Sequence, residues 1–203
     1  MKNILTKDLL IVSLGFLFIF SMDFLYATVS TYKQNLTSKA VKAPFVPQEV
    51  DPVDPKELPV ILRIEKTHLS APVEPVGINA LGEMETPQKI ANVAWFKYGV
   101  RPGQIGSAVI NGHYGWKRFE ASAFDNLHTL RIGDTVQVVD GNGATLTFVV
   151  RKLQRFAWDA DPKAVFVSTD GKSHLNLITC EGTWDPEKKT YLDRLVVFTD
   201  RVE

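Results

Sequence analysis

The chain has 203 residues, 45% hydrophobic and 23% charged, which is ordinary for a globular protein. Its 23 basic and 23 acidic residues cancel, so the basic stripe of a nucleic-acid binder is not expected. One cysteine rules out an internal disulfide, and the four histidines, His68, His113, His128 and His174, form no metal-spaced cluster with it. No metal and no cofactor are therefore expected.

The N-terminus reads as a membrane anchor. Residues 1–8 carry Lys2 and Lys7, and residues 9–29 are mostly apolar, with Asp23 as the one charged residue. Twenty residues of helix span roughly 30 Å, the thickness of a bilayer core. Flanking lysines place the N-terminus in the cytoplasm and the remainder outside the cell. Asp23 lies toward the outer end, where a carboxylate costs less than at the centre. A cleaved signal peptide is the alternative, although residues 26–30 offer a poor cleavage site. Residues 30–59 hold five prolines and alternating charges with no periodicity, the pattern of a stiff extracellular linker.

Residues 60–203 read as one mostly β domain. A strand is expected at "PVILRIEKTHL", an irregular or edge segment at "APVEPVGIN", and a short apolar strand in "KIANVAWFKYG". Ala108 to Ile110 form a buried strand that ends at Asn111-Gly112. Phe124, Leu127 and Leu130 have helical spacing, a turn or two before Gly133. Residues 135–158 make the clearest feature, two alternating runs around Asp140-Gly141-Asn142-Gly143, a hairpin signal. A short helix is expected at "DPKAVF". The last two strands are "HLNLITC", ending at Cys180, and "RLVVFTDRVE", starting at Arg194. Seven or eight short strands with little helix predict a closed or nearly closed β-barrel.

Three residues at strand positions carry candidate chemistry. A free thiol has a pKa of about 8.5, so Cys180 needs a base or a positive charge nearby to act as a nucleophile. His113 could supply the base and later protonate a leaving amine. Arg194 offers a fixed fork of N–H donors for an oxyanion. Neighbouring antiparallel strands, joined through residues 181–193, would bring Arg194 back beside Cys180, whereas His113 must arrive from a distant strand. Taken singly, each residue keeps a blander reading: a buried small hydrophobe for Cys180, a turn residue for His113, a surface partner of Asp193 for Arg194.

Together, "NGHYGW", "LNLITCEGTWD" and "RLVVFT" resemble the sortase family, extracytoplasmic cysteine transpeptidases tethered to bacterial membranes. Thr179-Cys180 ends a strand, His113 lies 67 residues earlier, and Arg194 opens the next strand. The resemblance covers residues 60–203, and "NVAWFKYGVRPGQIGSAVINGHYGW" is most similar to class F. Two positions depart from that class: Glu181-Gly182-Thr183-Trp184 follows the cysteine, and Leu192 stands where class F tends to carry the arginine. The resemblance implies a sortase-like β-barrel behind a transmembrane helix. It further implies that Cys180 attacks an LPXTG-like sorting signal, His113 serves as general acid and base, and Arg194 holds substrate and oxyanion. An amine on a peptidoglycan stem or a pilin lysine would then resolve the thioester. Thr179, Trp116 and Trp184 are the expected substrate-binding residues, with core packing as the alternative for each tryptophan. Two rival functions remain, another envelope cysteine peptidase and a non-catalytic surface-tethered binding barrel.

Overall fold

The computed structural model describes residues 54–115 and 120–202. The apolar segment 9–29 and most of the proline-rich segment lie outside these residues, as does Trp116. Among the described residues no helix is long and apolar enough to cross a membrane.

Eight strands form the domain: β1 (Pro59–Ile64), β2 (Leu69–Val76), β3 (Val93–Phe96), β4 (Gly106–Gly112), β5 (Thr135–Asp140), β6 (Thr145–Ala157), β7 (Ser173–Asp185) and β8 (Thr190–Arg201). They close in the order β1-β2-β3-β4-β7-β8-β6-β5, with β5 returning to β1. The expected barrel is present, with eight strands. One α-helical turn among the described residues, α1 (Lys163–Phe166), forms where the sequence suggests a short helix, and it packs on the outside of the barrel.

Alternation along each strand builds two apolar layers. Leu62, Ile110, Phe148, Leu177, Leu195 and Val197 point inward and are fully buried or nearly so. Each such side chain contributes about 1.5–3 kcal/mol on leaving water. Val109, Val196 and Phe198 point outward and pack under Val165 of α1 and Phe96. The outer face of β4, β7 and β8 is thus covered near α1, and the same face carries Ile178 and then Cys180 farther along β7. Odd-numbered β7 residues go to the barrel interior and even-numbered ones to this outer layer.

The hairpin at residues 140–143 forms as read. Asp140 caps it, its Oδ1 accepting the Asn142 and Ala144 N–H groups at 2.9 and 2.8 Å. Three expectations are corrected, and a fourth, the helical turn before Gly133, is met in a tighter form. "APVEPV" is no edge: β2 gives its first half to β1 and its second half to β3, so each proline interrupts only one short ladder. The helical spacing at Phe124, Leu127 and Leu130 becomes a single 3-10 turn, Leu127–Thr129, because those side chains serve the core from a tight connection. Residues 55–57 at the end of the proline-rich segment form a turn whose Glu57 pairs with Arg101. Most consequential for the site, β7 does not stop at Cys180 but runs on to Asp185, and β8 starts at Thr190 rather than Arg194. The loop between them is only residues 186–189. Polar and glycine-bearing "EGTWD" is read as a turn from composition, yet it pairs as strand because its backbone is the ladder and its side chains stand at the exposed end.

Candidate active site

Cys180 and Arg194 are direct cross-strand partners in the β7–β8 antiparallel ladder. Partners in register share a face, with side chains about 4.5–5.5 Å apart at Cβ. The thiol is half-buried. Burial pushes its pKa up, and the Arg194 charge pulls it part of the way back. At rest, then, Cys180 is a thiol at neutral pH and needs a base when it reacts.

The Arg194 guanidinium is held only by neutral acceptors. Nη1 donates to the carbonyls of Tyr191 (2.9 Å) and Asp193 (3.0 Å), and Nη2 donates to Thr190 Oγ1 (3.0 Å). Among the described residues it makes no ion pair, so the suggested pairing with the Asp193 carboxylate does not form. Glu181, the acid next to the cysteine, is paired elsewhere. Arg155 on β6 forks onto Glu181, with Nη2 donating to Oε1 at 3.0 Å. Glu181 stands opposite Asp193 in register, and both charges raise the Arg155 pKa, Glu181 foremost. A positive charge beside the thiol is left without a carboxylate to cancel it.

His113 follows directly on β4, which runs parallel to β7 with Asn111 opposite Ile178. The ladder itself ends at that pair; extended by two residues, the same register would bring His113 level with Cys180 on the outer face. Where the backbone ladder ends, a side chain continues it: Thr179 Oγ1 donates to the Gly112 carbonyl at 2.8 Å, and Thr179 is buried. Gly112 has to be glycine. A Cβ there would lie 2.6 Å from the Phe124 ring, which is itself in the core. Phe124 N–H in turn donates to the His113 carbonyl at 3.1 Å. The His113 ring contacts the Pro87 carbonyl through Nε2 at 2.9 Å.

Beyond Cys180 the ladder changes phase. Glu181 faces Asp193 but Trp184 faces Tyr191, so β7 carries one extra residue, a β-bulge. Gly182 sits in it at φ +82°, and a Cβ there would fall 2.3 Å from Asp193 Oδ2. By the alternation of β8, Tyr191 shares the face of Asp193 rather than that of Arg194. Trp184 packs on Tyr191 edge to face, centroids 5.3 Å apart, and Tyr114 packs on Tyr191 at 5.4 Å. Trp184 remains 49% exposed. Tyr114 and Tyr191 were not singled out from sequence, and neither were Gly112, Gly182 or Arg155; only the pairing register reveals them. Asp125, equally unmarked in sequence, ties the segment after His113, its carboxylate accepting the Gly115 and Ser122 N–H groups at 2.7 and 3.0 Å.

A closed antiparallel-dominated barrel that presents on adjacent strands a cysteine and an arginine with no ion pair among the described residues, and a histidine just past the end of the neighbouring strand, has the makings of a thiol enzyme. Comparison with known proteins gives that class a family. The description "Sortase domain" matches residues 62–202. The chain belongs to the sortase family of cysteine transpeptidases, which act on sorting signals and amine acceptors. Among solved structures it is similar to sortase C1 from Streptococcus agalactiae, with 21% identity over 75% of this chain and 71% of that one and a TM-score of 0.57. It is also similar to sortase A from Corynebacterium diphtheriae (21% identity, 73% and 62% of the two chains, TM-score 0.56). A Clostridium perfringens sortase D5 transpeptidase follows at 16% identity over 75% and 83%, TM-score 0.53. A comparison with curated proteins gives no match. Structures from three sortase classes thus share this fold, and none of these three is a class F enzyme.

Proposed function

We propose that the chain is a membrane-tethered sortase in which Cys180, His113 and Arg194 carry the reaction. The observation that carries this reading is the opposition of Cys180 and Arg194 in one ladder, with an arginine that makes no ion pair among the described residues. On this reading the Cys180 proton moves to His113 as the sulfur attacks the peptide carbonyl carbon. The resulting oxyanion is met by the Arg194 fork. Collapse breaks the C–N bond, and the departing amine takes the proton from His113, leaving a thioester. An amine acceptor then attacks the thioester, gives its proton through His113, and restores the thiol.

The substrate is an LPXTG-like sorting signal, and the acceptor is a peptidoglycan stem amine or a pilin lysine. Thr179 supports the site from behind, and Trp184, exposed on the rim of the β7–β8 hairpin, meets the peptide; Trp116, which follows His113 in sequence outside the described residues, is the second proposed peptide-binding tryptophan. The apolar run 9–29 anchors the chain as a single-pass helix after a cytoplasmic segment 1–8, and residues 30–59 hold the catalytic domain, residues 60–203, outside the cell. Class F is the proposed subclass, supported by the residues around His113 and by those leading to Cys180. The test is peptide cleavage and amine transfer by the full chain over a small library of LPXTG-like peptides. Cleavage that Cys180→Ala abolishes is the expected result. Full cleavage by Cys180→Ala would sink the mechanism, and no cleavage of any peptide by the unmodified chain would favour a binding barrel.

A further inference from the structure

The segment between β2 and β3 lies against His113, and its anchoring has a purpose that the fold alone does not require. A carbonyl oxygen can accept a hydrogen bond but cannot donate one. Because His113 Nε2 stands 2.9 Å from the Pro87 carbonyl, the neutral ring must carry its hydrogen on Nε2. Nδ1 is then the nitrogen with the free lone pair.

That carbonyl is fixed from both sides. On the N-terminal side, Asn111 Nδ2 donates to the Glu85 carbonyl at 2.9 Å, and Asn111 lies on the same face of β4 as His113, two residues before it. Glu85 is itself locked to Gly77: its carboxylate accepts the Gly77 N–H at 2.9 Å, and its own N–H donates to the Gly77 carbonyl at 3.1 Å. On the C-terminal side, Glu74 of β2 accepts the Gln88 N–H at 2.8 Å and Asn92 Nδ2 at 2.6 Å. Burial pulls the Glu74 pKa up, but the hydrogen bonds from Gln88, Asn92 and Lys89 outweigh it, and the carboxyl titrates below its ordinary value. Between the two anchors stands proline, whose ring locks φ and stiffens the backbone that aims the carbonyl. Ala123 N–H adds a tie at 2.9 Å from the segment after His113 to the Ile90 carbonyl.

We infer that the Pro87 carbonyl, held by Glu74 and Asn111, sets the tautomer and orientation of His113 so that Nδ1 is the atom that exchanges a proton with Cys180. Glu74 and Asn111 are positioning residues for the reaction. The inference rests on the proposed roles of His113 and Cys180. It assigns to a backbone carbonyl the task that a carboxylate performs in Ser-His-Asp sites, fixing the imidazole so that the correct nitrogen faces the nucleophile. A carbonyl is a neutral partner, so it orients the ring without adding a negative charge beside a thiol that must become a thiolate.

The test is nitrogen-15 NMR of the full chain with labelled histidine, read alongside kinetics. The expected result is that the neutral form of His113 carries its hydrogen on Nε2, where it exchanges slowly with solvent. In Glu74→Ala that exchange speeds up and an Nδ1–H population appears. The same change lowers kcat about tenfold with KM nearly unchanged, because proton transfer and not peptide binding is impaired. Glu74→Gln, which keeps one acceptor oxygen, lies between. A wild-type ring protonated on Nδ1 would overturn the inference, as would ring signals and kcat unaltered in Glu74→Ala. The tautomer is read without turnover, so a chain that cleaves no peptide would refute the proposed function while leaving the tautomer measurement to stand or fall by itself.

Discussion

Replacing Thr179 by valine isolates one atom that joins the two halves of the site. The hydroxyl donates at 2.8 Å to the Gly112 carbonyl, at the level where the β4–β7 backbone ladder has ended. Valine has nearly the same shape and the side chain is buried, so packing is kept while a buried carbonyl loses its donor. Leaving such a group unsatisfied costs about 1–3 kcal/mol. Taking about 1–2 kcal/mol for a carbonyl near the barrel rim, a domain of this size should melt roughly 2–8 °C lower. The functional effect is larger than the thermal one suggests, because Gly112 immediately precedes His113. Freed from β7, the end of β4 no longer holds the imidazole level with the thiol, and kcat/KM falls by about tenfold, near 1.4 kcal/mol of transition-state stabilisation. Differential scanning calorimetry and peptide-cleavage kinetics measure the two quantities on the same samples. Thr179→Ser retains the hydroxyl and should recover most of the activity. If serine proves as poor as valine, or if valine cleaves peptide at the wild-type rate, the link between this hydrogen bond and His113 placement is wrong.

Arg194→Gln removes the charge that partly offsets burial of Cys180, so the thiol pKa moves farther up. The pH profile of iodoacetamide labelling should shift to higher pH, and an unchanged profile would show that the arginine does not reach the sulfur. Gly182→Ala forces a side chain into a left-handed position against Asp193, and is expected to lower both melting temperature and cleavage rate. Wild-type values in that variant would mean that the bulge is not needed as drawn. Asp170 takes a hydrogen bond from the buried His174 ring and from the Lys172 N–H and Ser168 hydroxyl, which hold its pKa well below the carboxylate range. A depressed carboxyl contributes fully above its unfolded pKa of about 4 and loses that contribution as pH falls toward the folded value. The melting-temperature gap between wild type and Asp170→Asn should therefore narrow as pH falls below about 4; a gap that widens in acid contradicts the assignment.

The barrel and the strand that carries the cysteine were legible because they rest on local signals. Alternation in "HLNLITC" and "RLVVFT", the Asp-Gly-Asn-Gly turn, and the lone cysteine each speak from a few adjacent residues. The adjacency of Arg194 to Cys180 followed from a hairpin argument and proved to be a direct partnership. The strand ends did not follow, because Glu181 to Trp184 have turn-like composition and pair only through the backbone. Nor did the supporting shell: Gly112 is required by Phe124, twelve residues on, and Pro87 meets His113 from 26 residues away. Parallel pairing of β4 with β7 leaves no mark in either strand alone, so the route by which His113 reaches the thiol was invisible until the register was known.

The extra residue at Gly182 also has a bearing on how such a site can change over time. A ladder transmits any insertion along its length by turning every later side chain to the opposite face. Here the phase has already been broken once, between the reacting pair and the hairpin tip. Substitutions beyond Thr183, and length changes in residues 186–189, can alter what the rim presents to a peptide without re-aiming Cys180 or Arg194. On the proposed reading, chemistry and recognition share these two strands, and the register shift at Gly182 lies between them.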